Sequence, residues 1–354
     1  MHCRNPIKSS GLTFLPASLP FPSHKLKPMS SRGNITQSEL LQWSVINTAT
    51  ASEDAPASTE PPVQHQPIES KWIDLILGKG DSVRMRECVE AALDESRSVE
   101  TRELACDELE MLVESLDNAN DLTPLKLWAP IISLLSSNEV KMRMYGAWVL
   151  GTAVQNNPVS QKGFMEAGGI ESILRVLEHD EDDTVRTKAF YCISGAIRNN
   201  KQVFQAFYNL NGFRVIVSAL KNADSSLLRR AVFFWRTLLL DSGGDDTHKD
   251  TTVSDLTAAA LSEYGVARMV MQLIDDADLD TVEKCLDLLC TVLAHYPSSL
   301  DVDTLEDISG PFASRAEGRF KCLQELGDDV SEARSQLQIL VDSALSAASL
   351  EPNQ

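Results

Sequence analysis

No apolar run in this chain of 354 residues approaches the roughly 18 residues that a membrane-crossing helix needs. Cations are in deficit. The 32 Lys and Arg stand against 51 Asp and Glu, a net charge of −19. That balance disfavours nucleic acid and anionic membrane as partners, because both require clustered basic residues. The seven cysteines, at 3, 88, 106, 192, 285, 290 and 322, show no close pairing. An odd, scattered set argues against a disulfide framework and for buried thiols in a reducing compartment. Strand-type alternation is missing throughout, so the chain reads as all-α.

The constellations of catalysis are missing as well. Cys285 and Cys290 are five apart, the wrong interval for a zinc knuckle, and no His stands at ligand spacing. Asp276, Asp278 and Asp280 open like a calcium loop, but Thr281 falls where Gly is required and Asp287 where a bidentate Glu is usual. They read instead as an acidic helix start. Gly78-Lys79-Gly80-Asp81-Ser82 lacks the first Gly of a phosphate loop and the strand before it. His179, beside a run of acids, reads as a solvated helix end, and no Ser, His and Asp grouping comes with a nucleophile elbow. The expectation is a protein that is not an enzyme, with no metal and no cofactor.

What the sequence does contain is a segment stated twice. Ala147-Trp148-Val149-Leu150-Gly151-Thr152-Ala153-Val154-Gln155-Asn156-Asn157 returns 43 residues later as Phe190-Tyr191-Cys192-Ile193-Ser194-Gly195-Ala196-Ile197-Arg198-Asn199-Asn200. Each copy is followed twelve residues on by a glycine, Gly169 and Gly212, and then by an apolar run. A purely helical period of this length is the signature of armadillo or HEAT repeats. Gly168-Gly169, Asn211-Gly212 and Tyr264-Gly265 recur at one place in three units, where a left-handed turn between helices is expected. A polar insertion, Gly243 to Asp250, accounts for the longer interval from Gly212 to Gly265. The fold expected is an armadillo-like right-handed helical solenoid, a curved rod with a long binding surface rather than a catalytic pocket.

Four regions follow. Residues 1–38 hold no Asp or Glu, five prolines, and the bases Arg4, Lys8, Lys25, Lys27 and Arg32. This is a disordered or targeting-like tail; its composition resembles a transit peptide, although the prolines spoil an amphipathic helix. Residues 39–69 are a short apolar-faced helix followed by a Pro-, Ser- and Gln-rich linker. Residues 70–297 carry the repeats, with helices expected at 70–78, 82–93, 99–115, 123–136 and onward. Residues 298–319, holding Pro311, read as a loop and 320–350 as a last helix.

In a three-helix armadillo unit the third helix lines the groove. The third helices expected are 139–155, 184–199 and 225–240, and their polar positions are the natural contacts. Arg198, Asn156, Asn157, Asn199 and Asn200 sit at the ends of two of them. Each has a second reading. An Asn there closes a helix in the left-handed conformation, and an Arg there is a favourable cation at a helix C-terminus. Trp148 and Trp235 occupy similar places on two of these helices and read as core.

The run Glu110 to Asp121, containing Asp117-Asn118-Ala119-Asn120, and the run Gly151 to Pro158 with Ser160-Gln161 closely resemble one family. That family is the armadillo-type nucleotide exchange factors of the heat-shock protein 70 chaperone. Leu40-Leu41-Gln42-Trp43-Ser44 looks like its opening motif, and the resemblance covers about 40–46 and 85–297. It implies a partner, the chaperone's ATPase domain, held in the groove so that the nucleotide cleft opens and ADP leaves. By motif it implies contacts at Ala119, Asn120, Asn156, Arg198 and Asn199, with Ala119 small so that the partner's backbone can approach. The segment bearing Leu40, Leu41 and Trp43 is similar to one that helps client release. The expected state is a monomer in the cytoplasm, with the nucleus also open and an organelle less favoured.

The rival expectation is an armadillo adaptor for an extended basic peptide. Such adaptors place Asn four residues after a Trp on the third helix. Here Thr152 follows Trp148 and Leu239 follows Trp235 at that spacing.

Overall fold

The computed structural model describes residues 79–221, 223, 225–241 and 252–350, all within one compact unit, Asp74–Gln354. The helix expected at 70–78 and the insertion Gly243 to Asp250 lie outside these residues. The described residues contain helices and turns and no strand.

The helices run in triplets, each ending in a long third helix. A first pair, α1 (Asp81–Leu93) and α2 (Val99–Val113), is followed by α3 (Leu116–Asp121), α4 (Trp128–Ser133) and α5 (Val140–Ala153). Then come α6 (Pro158–Glu166), α7 (Gly169–His179) and α8 (Asp183–Ala196), and after them α9 (Lys201–Asn209), α10 (Gly212–Leu220) and α11 (Ser225–Leu239). Next are α12 (Val253–Glu263), α13 (Val266–Leu273) and α14 (Leu279–His295), and finally α15 (Val302–Asp307), α16 (Ala313–Glu325) and α17 (Ser331–Leu350). The third helices α2, α5, α8, α11, α14 and α17 pack each against the next, a ladder through the described chain. This is the armadillo arrangement.

Local chemistry sets the boundaries. Asn157, Asn200 and Asp182 start α6, α9 and α8, each with a side-chain oxygen accepting backbone N–H bonds, and Pro158 fits the first turn of α6, where its missing N–H costs nothing. Between first and second helices the chain turns through a left-handed residue at Gly168, Asn211 and Gly265. In the middle unit that residue is Asn211 rather than the glycine after it. Gly212, like Gly169, is bare for a different reason: a Cβ there would lie 2.1 and 2.0 Å from the rings of Phe207 and Phe164 respectively.

Two expectations are corrected. The single helix expected at 123–136 is broken: Leu122 to Leu127 form a turn with Lys126 left-handed, and α4 starts only at Trp128. Most of the stretch expected as a loop at 298–319 is helical, and with α17 it completes a further triplet. Leu305, Ile308, Phe312, Ala316, Phe320 and Leu323 are buried at three- and four-residue intervals, one continuous apolar stripe. Pro311 is accommodated by a wide helical turn, Ile308–Phe312, that joins α15 to α16.

Arginines fasten this end. Arg319 donates from Nε and Nη2 to the carbonyl of Ala277 at 2.8 and 2.6 Å. Arg315 donates to the carbonyl of Met271, and Arg268 to the Asp301 carboxylate and the Thr304 hydroxyl. Six described cysteines are free and buried or half-buried. Burial pushes the Cys88 thiol up to about 11 and that of Cys106 up to about 12, so both stay protonated and unreactive.

Candidate functional site: the outward face of the third helices

The family-like motifs turn out to be joints. Asn118 donates to the carbonyl of Leu112 at 2.9 Å and to Asp81 at 3.1 Å, closing α2 onto α3. Ala119 is 1% exposed and belongs to the core. Its expected role as a small contact is corrected: the residue is small because α3 packs there against the chain's own helices. Asn120 is half-buried, and its Oδ1 accepts from the Ser160 hydroxyl at 3.3 Å, tying α3 to α6.

Gln161, 1% exposed, does the same one unit on. Its amide NH2 points at the carbonyls of Val154, Gly195 and Arg198, at 2.9–3.3 Å, and its Oε1 accepts from Asn200 at 2.9 Å. This one side chain therefore ties together the ends of α5 and α8. Asn156 and Asn199 are left-handed at those ends and exposed. They close the helices while leaving their side chains at the surface.

The remaining expected residue, Arg198, is half-buried just beyond α8, and among the described residues its guanidinium has no hydrogen bond or ion pair. Leu40, Leu41 and Trp43 lie outside the described residues.

Burial registers the third helices more finely than the sequence did. The buried positions of α8 (185, 189, 190, 192, 193, 196, 197) recur in α11 after 42 residues. Tyr191 therefore corresponds to Phe233, Lys188 to Arg230, and, 43 residues earlier in α5, Trp148 to Tyr191. Trp148 and Trp235 are out of register by this measure. Trp235 is 0% exposed and stacks on Phe213 at 4.9 Å in the core, as expected of it. Trp148 is half-buried: it packs against the core, as expected, and leaves part of its ring at the surface.

An aromatic row thus runs across three neighbouring helices: Trp148, Tyr191 and Phe233, the last 47% exposed. Tyr145 stacks beneath Trp148 at 5.8 Å with the rings 11° apart. Lys188 Nζ sits 3.3 Å from the centre of the Trp148 ring and 5.9 Å from that of Tyr191. Such a cation–π contact contributes about 0.5–2 kcal/mol, more as water is excluded. Tyr191 can lie this low because it covers bare Gly151, where a Cβ would come within 2.5 Å of the ring.

Burial holds the Lys188 ammonium below the usual lysine range; the nearby Glu110 carboxylate opposes that shift and Arg230 reinforces it. Glu110 in turn accepts from the Thr152 hydroxyl at 2.7 Å. Sequence reasoning missed Lys188, Tyr191, Arg230 and Phe233. The signal that could have found them was the doubled segment itself, extended by its polar and aromatic positions into α11.

The face therefore presents aromatic rings and cations on neighbouring third helices. Among the described residues no group of three His, Cys, Asp or Glu side chains is placed for a metal ion. The fold is that of an armadillo-type helical solenoid. Designed armadillo repeat proteins share its architecture. One described as computationally designed for modular peptide recognition superposes with a TM-score of 0.53 at 16% identity, covering 73% of this chain and 99% of its own. A second, solved with a (KR)4 peptide, gives 0.52 at 16% identity, covering 75% and 99%.

The particular family is fixed by sequence. The family described as Nucleotide exchange factor Fes1 matches residues 38–122, and the SIL1/FES1/HPBP1 C-terminal domain matches 118–305. The chain belongs to this family of heat-shock protein 70 nucleotide exchange factors. It is 31% identical to the Hsp70 nucleotide exchange factor FES1 of Eremothecium gossypii, over 78% of this chain and 92% of that protein. It is 34% identical to that of Mycosarcoma maydis, over 63% of this chain and 59% of the other. The protein of that name from Saccharomyces cerevisiae is 29% identical over 72% and 86%.

Proposed function

We propose that this chain accelerates ADP release from heat-shock protein 70 by gripping the chaperone's ATPase domain along α5, α8 and α11. The grip favours the open nucleotide cleft over the closed one. By linkage, ADP and this chain must then weaken each other's binding. The chain makes and breaks no bond; its effect lies in the difference between two affinities. Leu40, Leu41 and Trp43 supply an apolar anchor that promotes client release. It works as a monomer in the cytoplasm, where free buried thiols remain reduced, and needs neither membrane nor nucleic acid.

The observation that carries this reading is the aromatic and cationic face, Trp148, Lys188, Tyr191 and Phe233, on the helices that line an armadillo groove. The same face weighs against the adaptor for a basic peptide, since Lys188, Arg198 and Arg230 would repel it.

The test is release of a fluorescent ADP analogue from purified heat-shock protein 70, with and without the chain. Faster release, with ADP in excess competing against binding, supports the mechanism. Unchanged release across several cytosolic forms of the chaperone sinks it.

A further inference from the structure

We infer that the middle of this groove is a carboxylate receptor: Lys188 and Arg230, set among Trp148, Tyr191 and Phe233, take an acidic and partly apolar face of the chaperone's ATPase domain. The inference rests on the exchange-factor reading and says what chemistry the partner presents.

The first support is where the unused cations lie. In a chain of net charge −19, carboxylates are plentiful, and most described arginines find one or a carbonyl. Arg86, Arg175, Arg198, Arg230 and Arg236 have no such partner among the described residues, and three of the five lie on or just after the adjacent helices α8 and α11. Lys188 joins them: its ammonium lies over rings and near Glu110, with no hydrogen bond to a carboxylate. A protein with carboxylates to spare has left Lys188 and Arg230 without a hydrogen-bonded one, at matching positions of neighbouring helices.

The second support is register. Lys188 and Arg230 are equivalent positions of successive third helices, 42 residues apart, each set beside the aromatic row. The pattern stops at α14. Its position matching Phe233 is Asp287, which accepts from the Gln336 amide, and its position matching Arg230 is Lys284, already bonded to Asp280. On the other side, Glu110 lies on α2. The receptor is bounded by acid at both ends.

The third support is cost. A half-buried lysine near an arginine is disfavoured in the free chain: burial lowers its proton affinity, Arg230 adds to that, and Glu110 only partly offsets it. A carboxylate arriving between them removes that repulsion, and the rings exclude water from the contact.

The experiment is binding of the chaperone's isolated ATPase domain to the full chain, at low and at high salt. The double variant Lys188→Gln with Arg230→Gln is compared with Arg175→Gln, which removes an exposed charge from α7, off the ladder. Two charged contacts, each worth about tenfold, predict about a hundredfold weaker binding for the double variant at low salt. That loss shrinks at high salt, where the unaltered chain weakens too. Lys188→Arg in a chain that keeps Arg230 should retain most of the affinity, and Arg175→Gln should bind normally. Helical circular dichroism confirms that each variant is folded. If the double variant binds within about twofold of the unaltered chain, the carboxylate receptor is wrong while the exchange reading stands. If the unaltered chain does not bind the ATPase domain at any salt, both fall.

Discussion

At the C-terminal end of the ladder the arginines are all engaged: Arg268 with Asp301 and Thr304, Arg315 with Met271, Arg319 with Ala277, Arg334 with Glu317. In the middle, the half-buried Arg198 and the exposed Arg230 have no such partner among the described residues. One residue type serves two ends. Where the next helix supplies a carbonyl or carboxylate, the guanidinium holds the solenoid together. Where aromatic rings line an open face, it is left for something outside the chain. The C-terminal triplet is thus built for cohesion and the middle for contact.

The comparison is broken most severely through the C-terminal core. Phe312 is fully buried where α15 passes into α16. Phe312→Ala should cost about 3–5 kcal/mol in urea denaturation. A loss below about 1 kcal/mol would mean that this triplet does not share the cooperative core. Next comes Arg319→Ala. Two charge-assisted bonds to one carbonyl predict a loss of about 2 kcal/mol, read the same way, with binding to the ATPase domain retained.

A smaller effect is tied to pH. Asp301 caps α15 through the Thr304 backbone N–H at 2.8 Å and also receives Arg268. The Thr304 bonds, aided by Arg268, hold its carboxyl below the usual carboxylate range. A depressed folded value means stability that is present at neutral pH and lost as pH falls through that range. Asp301→Ala should cost about 1 kcal/mol at pH 7. The difference from the unaltered chain should vanish once both are acidified, as thermal melts at the two pH values would show.

How far the sequence carried can be judged from particular residues. The doubled segment with its glycines was enough for the repeat, because a helical period survives in apolar positions whatever the surface does. Residues 302–319 read as a loop because Pro311 punctuates them; the stripe from Leu305 to Leu323 was already there and outweighs one proline at a wide turn. Ala119 and Gln161 show the opposite limit. A motif held by packing between repeats and a motif held by a partner leave the same mark in one sequence, and only burial separates them. The aromatic row escaped notice because Trp148, Tyr191 and Phe233 are three different residues, matched only once the buried positions set the register.

The smallest effect on stability, and the sharpest test of the comparison, is Arg198→Ala. The Gln161 clasp reaches Arg198 through its backbone carbonyl, which the substitution leaves in place. The guanidinium itself holds nothing among the described residues. Stability should therefore change by less than about 0.5 kcal/mol, against about 2 kcal/mol for Arg319→Ala. Exchange should nevertheless fall, by about tenfold if one charged contact is lost. A variant that melts early would mark Arg198 as a helix clasp, no different from Arg319, and the division between holding and contacting arginines would collapse. A variant that melts normally yet releases ADP slowly would place Arg198 on the contacting side, because no loss of fold could then explain the lost activity.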